Sequence, residues 1–370
     1  MKTCTRCIYD DEHIPNITFD SNGVCNYCKE HDKIDKQYPI SKEKFDALLK
    51  RMKGSGKYYD CIMGVSGGCD SSYLLTKLVD AGLNPLAVNF DNHWGAETAV
   101  KNLYKITDGL GIDFLRVTVD KKEYDNIVRS FFLAGVPDIE IPADIGLATA
   151  LLQSAARYKC KYIVDGHSFR TEGSAPIGFI YMDAKYIESI HNKFGTIPMK
   201  TYKNLWLKNQ LKWMLINRIK RVRPMYYLDY DKEKVKKELS NRFEWEWYGG
   251  HHFENRLTFF FHNYFNPKRF NRDQRYLDYS AAIRSGKMTR EKALELIKKP
   301  LSQNNEIVEE VKQRFGFRDE ELNEVMNLPQ KTHHDFKTYH PLFKRYRWFF
   351  WLCMKLDLVP KTFYLKYTRK

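Results

Sequence analysis

The chain has 370 residues, 43% of them hydrophobic and 15% aromatic, and its 61 Lys and Arg outweigh 46 Asp and Glu to give a formal charge of +15. This length exceeds what one core usually supports, so one α/β domain of about 200 residues with appended elements is expected. With no Ser/Pro/Gln tract, no repeat, no long run of like charge and no window near the roughly 18 apolar residues of a membrane helix, the composition excludes a disordered, repetitive or membrane-spanning chain and predicts a cytoplasmic one.

The first 40 residues are polar and turn-rich, with Asn22-Gly23 just before the second of two cysteine pairs. Cys4-x2-Cys7 and Cys25-x2-Cys28 stand 17 residues apart, a spacing that in an intracellular chain points to a metal before disulfides. Four thiolates complete a closed tetrahedral site, so the expected Zn2+ is structural, supplying on the order of 10 kcal/mol to a segment too short to fold alone. An iron–sulfur cluster is the competing occupant. Cys61, Cys69, Cys160 and Cys353 are scattered and read as core or filler.

A helix is expected near residues 42–53, and from Tyr58 strand and helix alternate: "YYDCIMGV", "SSYLLTKLVDAG", "PLAVNFD", "AETAVKNLYKITDGLG", "FLRVTV", a helix over 143–158, then "KYIVDGH". This pattern predicts a doubly wound, mostly parallel sheet over residues 41–200. After about Glu172 the alternation is lost, and residues 201–370 read as a mostly helical, aromatic-rich region that binds substrate or partner.

"VSGGCDSS", residues 65–72, lies between a strand and a helix, where open parallel sheets hold ligands. Gly67 and Gly68 let the backbone approach an anion, the helix amino terminus offers unpaired N–H groups, and Ser66, Ser71 and Ser72 add hydroxyls. No Lys-Ser or Lys-Thr ends the glycine run, which excludes a Walker loop. An ordinary strand-to-helix turn capped by Ser66 is the bland alternative. Asp70 beside phosphates requires a cation such as Mg2+. Adenine is expected against strand-end backbone, Met63 to Val65 and Val88 to Phe90 with Asn89 between, and Gly166 is a further candidate nucleotide contact; Asp91 and Asp165 reach ribose, metal or nothing.

The S-G-G-x-D-S string of residues 66–71 resembles the pyrophosphate loop of the ATP pyrophosphatases: asparagine, GMP and NAD synthetases and tRNA-thiolating enzymes. The resemblance implies an adenine nucleotide alpha hydrolase-like fold, a loop that holds the β,γ-phosphates of ATP, and release of pyrophosphate. It also implies Glu172, six residues after Gly166, as a second Mg2+ ligand. A solvated loop glutamate is the alternative reading.

"CTRCIYDDEHIPNITFDSNGVCNYC" with "MGVSGGCDSSY", "MDAKYIESIHNKFG", "WYGGHHFENRLTFFFHNYF" and "SAAIRSGKMTREKALELI" resembles the N-acetyl sugar amidotransferases of bacterial surface-polysaccharide and nonulosonic-acid pathways, over most of the chain. The resemblance implies conversion of an N-acetyl group on a nucleotide-linked sugar to an acetamidino group, with ATP and with ammonia from a separate glutaminase and a cyclase-like barrel. No processed N-terminal cysteine and no Gly-x-Cys-x-Gly elbow marks a glutaminase in this chain. Candidate sugar-nucleotide contacts are Tyr248, Gly249 and Gly250 in an aromatic loop, Lys268, Arg269 and Arg275 for anionic groups, and Tyr181, Asp183 and Lys185. His251 or His252 is the candidate proton acceptor, beside Asp70, Ser71 and Glu172. A structural turn with solvated basic residues is the competing reading for this region.

The basic, aromatic stretch "FKRYRWFFWLCMKLDLVPKTFYLKYTRK" packs as a terminal helix, docks the ammonia supplier or lies at a membrane surface. The rival function is a tRNA thiolase, which asks for reactive cysteines near the nucleotide, here only Cys69 and Cys160. The preferred reading involves no nucleic acid. A non-enzymatic nucleotide-sensing scaffold is the third.

Overall fold

Short strands, the central ones buried on both faces, build the sheet. The structure, a computed structural model, describes residues 1–173, 180–250, 253–356, 358–359 and 363–364. β1 (Cys61–Gly64), β2 (Pro85–Asp91), β3 (Phe114–Thr118), β4 (Tyr162–Val164) and β5 (Lys220–Val222) are all parallel, in the order β3-β2-β1-β4-β5. Met63 of central β1 lies opposite Ala87 on one side and Val164 on the other.

Successive strand residues point to opposite faces, and both faces are covered. Ile62, Leu86, Val88 and Ile163 join a core with α5 (Lys121–Ala134) and α6 (Ile141–Arg157). Cys61, Met63, Ala87 and Val164 face a second core with α2 (Lys42–Met52), α3 (Cys69–Asp80), α4 (Glu97–Leu110) and the later helix Lys232–Phe243. The chain runs outward from β1 to β3 on one side and then returns to β4 on the other. That reversal makes a crevice between the carboxyl ends of β1 and β4, the topological switch point.

The predicted doubly wound parallel sheet is present, but it does not end at residue 200. β5 comes from residues 220–222, which read as part of a helical stretch; pairing with β4 places Lys220 opposite Tyr162 and Val222 opposite Val164. Helices α1 (Asn26–Gln37), α5 and α7 (Ala184–Phe194) were also unforeseen by the alternation. The remaining carboxyl-terminal region is helical as expected, with Arg275–Arg284, Asn305–Phe315, Asp319–Asn327 and Arg347–Lys355 among its helices. A third small core joins Cys4, Cys7, Tyr9, Ile14, Cys25 and Cys28 to Leu277, so the amino-terminal segment packs onto the carboxyl-terminal helices. Among the described residues no helix is long and apolar enough to cross a membrane.

Candidate active site and metal centre

The loop after β1 enters a conformation that only glycine tolerates. Gly67 has φ 78°, and a Cβ there would lie 1.9 Å from the Ala99 carbonyl oxygen. Gly68 then caps α3 without any side-chain hydrogen bond, leaving the helix terminus to other partners. Ser66 Oγ accepts from the Gly68 N–H at 3.2 Å and stands 3.4 Å from Ser71 Oγ, which donates to the Gly68 carbonyl at 3.2 Å. The loop is therefore pre-shaped by its own hydroxyls.

Residues far along the chain hold it from outside. Trp245 Nε1 donates to the Gly67 carbonyl at 3.1 Å, Tyr248 OH accepts from the Cys69 N–H at 3.2 Å, and Tyr230 OH donates to Asp70 and lies 3.3 Å from Cys69 Sγ. Burial pushes the Cys69 thiol up to about 11. Cys160, whose thiol donates to the Tyr59 carbonyl at 3.3 Å, is also raised by burial to about 11.

The loop opens into a cavity of about 840 Å3 that takes in both sides of the switch point. Val65, Ser66 and Gly68 line it from the loop after β1, Asp70 and Ser71 from the start of α3, Asn89, Phe90 and Asp91 from the end of β2, and Asp165, Gly166, His167 and Glu172 from the loop after β4. Asn89 Nδ2 donates to the Val65 carbonyl at 2.8 Å, tying the two strand ends together. Tyr248 also lines the cavity, as do Glu254 and Asn255. Gly67 and buried Ser72 do not line it; the first shapes the loop and the second faces the core.

Three arginines give this cavity a cationic wall that the sequence reading missed. Arg116 pairs with Asp91 at 2.8 Å, and Arg223 and Arg221 approach Asp165 at 3.2 and 3.7 Å. Burial works against the Asp165 carboxylate, but Arg221 and Arg223 hold it below the usual range. The readable signal was Arg221-x-Arg223: two cations at strand spacing point to one face. His167 Nδ1 meets Glu172 Oε2 at 2.7 Å; burial opposes its charged form, yet Glu172 keeps the imidazole above its ordinary value.

The other proposed sugar contacts stand elsewhere. Arg269 is buried and donates to the Met326 and Leu328 carbonyls at 2.6 and 2.8 Å, Arg275 is engaged by Asp273 and the Lys299 carbonyl, and Lys268 lies 3.8 Å over the Tyr264 ring. Arg269 and Arg275 close helix ends and loops, Lys268 covers a ring, and none of the three lines the cavity. Tyr181 bonds Asp183, which caps α7, and Lys185 lies over Tyr339; none of the three lines the cavity. Gly249 takes φ 100°, and it and Gly250 sit outside the lining. His251 and His252 lie outside the described residues.

At the amino terminus, the ligand sulfurs of Cys4, Cys7, Cys25 and Cys28 all lie within 4.8 Å of one another and are buried. Cys4–Cys28 and Cys7–Cys25 sulfurs are 3.9 and 3.8 Å apart, matching the edge of about 3.8 Å of a tetrahedron built on Zn–S bonds of about 2.3 Å. Backbone N–H groups of Arg6 and Cys25 point at Cys4 Sγ from 3.4 and 3.3 Å. Buried Arg284 donates to Cys28 and Cys7 sulfurs at 3.3 Å each, and Arg290 donates to the Cys4 and Cys7 carbonyls. The residues fit a zinc ion whose excess thiolate charge is partly balanced by Arg284.

Fold and site together define a doubly wound parallel α/β domain with a glycine-shaped loop at its switch point and a four-cysteine clasp. Residues 254–350 match the family model for the carboxyl-terminal domain of WbpG-like lipopolysaccharide biosynthesis proteins. An uncharacterised protein of Methanocaldococcus jannaschii is 25% identical over 170 residues, 44% of this chain and 58% of its own. A tRNA-specific 2-thiouridylase of Fusobacterium nucleatum is 27% identical over 120 residues, 30% of this chain and 35% of its own. The chain thus spans less than two thirds of either relative. Among solved structures, NMN synthetase from Francisella tularensis aligns with TM-score 0.31 and 10% identity over 79% of this chain and 98% of its own. An NH3-dependent NAD synthetase from Campylobacter jejuni aligns with TM-score 0.30 and 11% identity over 81% of this chain and 98% of its own.

Proposed function

We propose that this protein is an ATP-dependent amidotransferase that activates the carbonyl oxygen of an N-acetyl group on a nucleotide-linked sugar and replaces it with ammonia, for surface-polysaccharide assembly. One observation carries the reading: the region matching a lipopolysaccharide biosynthesis domain supplies Glu254 and Asn255 to the same cavity that the S-G-G-x-D-S loop enters.

An amide carbonyl is a poor electrophile because its nitrogen donates into it, and its oxygen leaves poorly. Transfer of AMP to that oxygen, with pyrophosphate departing, removes both obstacles; ammonia then adds to the carbon, a proton is lost and AMP leaves with the oxygen. The chain's part is alignment and charge neutralisation. Loop N–H groups and the Ser66 and Ser71 hydroxyls hold the outer phosphates, and Arg116, Arg221 and Arg223 offset negative charge across the cavity. Asp70 and Glu172 would hold Mg2+, which neutralises phosphate charge when bound. Ammonia is assigned to a separate glutaminase with a cyclase-like subunit.

The test supplies ATP, Mg2+ and an ammonium salt with UDP- or CMP-linked N-acetylated sugars. Pyrophosphate, AMP and a product about one mass unit lighter, as O-to-NH exchange requires, are expected. Cleavage of ATP to ADP with the true acceptor present would sink the proposal.

Similarity to the thiouridylase favours tRNA thiolation as a second reading. Against it, a sulfur carrier works as thiolate, whereas Cys69 and Cys160 are buried with raised thiol pKa values. Under the preferred reading Cys69→Ser with Cys160→Ser retains amidination; loss of a thiolated nucleoside in that variant supports the rival.

A further inference from the structure

Helix Arg347–Lys355 has two apolar faces where a surface helix needs one. Phe350 and Cys353 turn inward, and Phe350 packs on Phe343 and Phe363 with ring centroids 4.4 and 6.0 Å apart. Trp348, Trp351 and Leu352 turn outward at i, i+3 and i+4, with 67%, 47% and 43% of their surface exposed. Lys355 follows at i+7 on the same stripe, and exposed Leu342, Tyr346 and Leu356 extend it.

Charge around the stripe has one sign. Residues 336–356 contain five Lys or Arg and no Asp or Glu. Beside the stripe opens a groove of about 640 Å3 whose mostly apolar wall includes Trp206, Leu211, Tyr339, Leu342, Tyr346 and Phe349.

We propose that residues 336–356 dock this protein on an anionic lipid bilayer. Trp348, Trp351 and Leu352 enter the boundary between headgroups and acyl chains, Lys344, Arg345, Arg347 and Lys355 meet lipid phosphates, and the groove accepts an acyl chain. Charge complementarity selects this occupant. A second copy pressed face to face would set like charges against each other, and a nucleic acid would leave the Leu352 and Leu356 surface wet. The proposal is independent of the reaction in the cavity.

The test uses the full chain with vesicles of phosphatidylcholine alone or mixed with phosphatidylglycerol. Binding at least about tenfold tighter to the anionic vesicles is expected, weakening in high salt, with a blue shift of tryptophan emission. Trp348→Ser with Trp351→Ser lowers binding by at least about tenfold and removes the blue shift. Lys344→Glu with Arg345→Glu, which leaves the apolar stripe and the inward packing untouched, abolishes the preference for anionic lipid while circular dichroism and melting stay unchanged. Should the tryptophan variant fold poorly, the charge variant decides. Absence from both vesicle pellets, equal binding to both compositions, or parent-like binding by the charge variant overturns the proposal. So does a concentration-dependent dimer, without vesicle binding, that Trp348→Ser with Trp351→Ser dissolves.

Discussion

Gly67 shows how much a single residue type settles. Its left-handed backbone and the Ala99 carbonyl 1.9 Å from a would-be Cβ leave no room for Gly67→Ala unless the loop moves. The expected cost is about 3 kcal/mol in urea unfolding, and under the proposed function pyrophosphate release falls by about a hundredfold because the loop would no longer present its N–H groups together. Gly166→Ala is the control for stability: its Cβ would meet nothing nearer than Ser71 Cα at 3.8 Å, so unfolding should shift by less than about 0.5 kcal/mol. A second residue-scale prediction concerns Glu140, which burial, reinforced by Asp144 and Glu254 and opposed by a hydrogen bond from Thr258, pushes up to about 8 from 4.5. Its folded-state pKa is raised, so the neutral carboxyl favours the folded form fully below the unfolded value, and that contribution is lost as pH rises towards about 8. Glu140→Gln keeps the neutral form at every pH. Stability measured in urea from about pH 5 to pH 8 should fall by on the order of 1 to 3 kcal/mol more in the parent than in Glu140→Gln; parallel profiles would refute the assignment.

Elements were readable where their signals are local and unreadable where a distant segment completes them. The strand, loop and helix around S-G-G-x-D-S follow from a run of neighbouring residues, and the cysteine pairs from their spacing. Tyr230 and Trp245, which fix that loop, arrive from 161 and 178 residues away, and Arg284 reaches Cys28 across 256. No periodicity announces such partners. β5 escaped notice because Lys220-Arg221-Val222 has no apolar run; the strand exists because β4 offers it a free edge. Lys268, Arg269 and Arg275 misled for the opposite reason, since charge alone does not say whether a cation meets a ligand or a carbonyl of its own chain. The clasp supplies a prediction at this scale. Arg284→Leu removes the cation that faces two ligand sulfurs, so zinc affinity measured by chelator competition should fall about 10- to 100-fold while Arg290 still holds the segment's carbonyls. Unchanged competition would show that Arg284 only fills space.

At the scale of the molecule, long-range cations bind the amino-terminal clasp, the sheet and the carboxyl-terminal helices into one unit. Arg170, in the loop after β4, donates to Asp35 at 2.9 Å and to the Tyr38 carbonyl at 2.6 Å, joining the cavity to the clasp segment. Arg314 pairs with Asp125 at 2.6 Å, both side chains only 6% exposed, and stacks 3.6 Å over Trp94, so the helix Asn305–Phe315 is keyed into the loop after β2. Truncation of Asp125 would leave the buried guanidinium only Glu310 at 3.6 Å and the His93 carbonyl at 2.7 Å, an expected loss in urea unfolding of about 3 kcal/mol for Asp125→Ala. That is a large part of the roughly 5 to 15 kcal/mol typical of a whole domain. A cut at residue 200 does more: it deletes β5, both the tyrosine and the tryptophan anchors of the loop after β1, and the helix that covers the clasp. The fragment 1–200 should therefore lack near-ultraviolet circular dichroism and bind a hydrophobic dye, whereas the intact chain unfolds in one transition whose midpoint drops when zinc is chelated. If that fragment instead melts cooperatively with the parent's near-ultraviolet signal, the sheet folds without its later elements and the coupling inferred from Arg170, Arg284 and Arg314 is wrong.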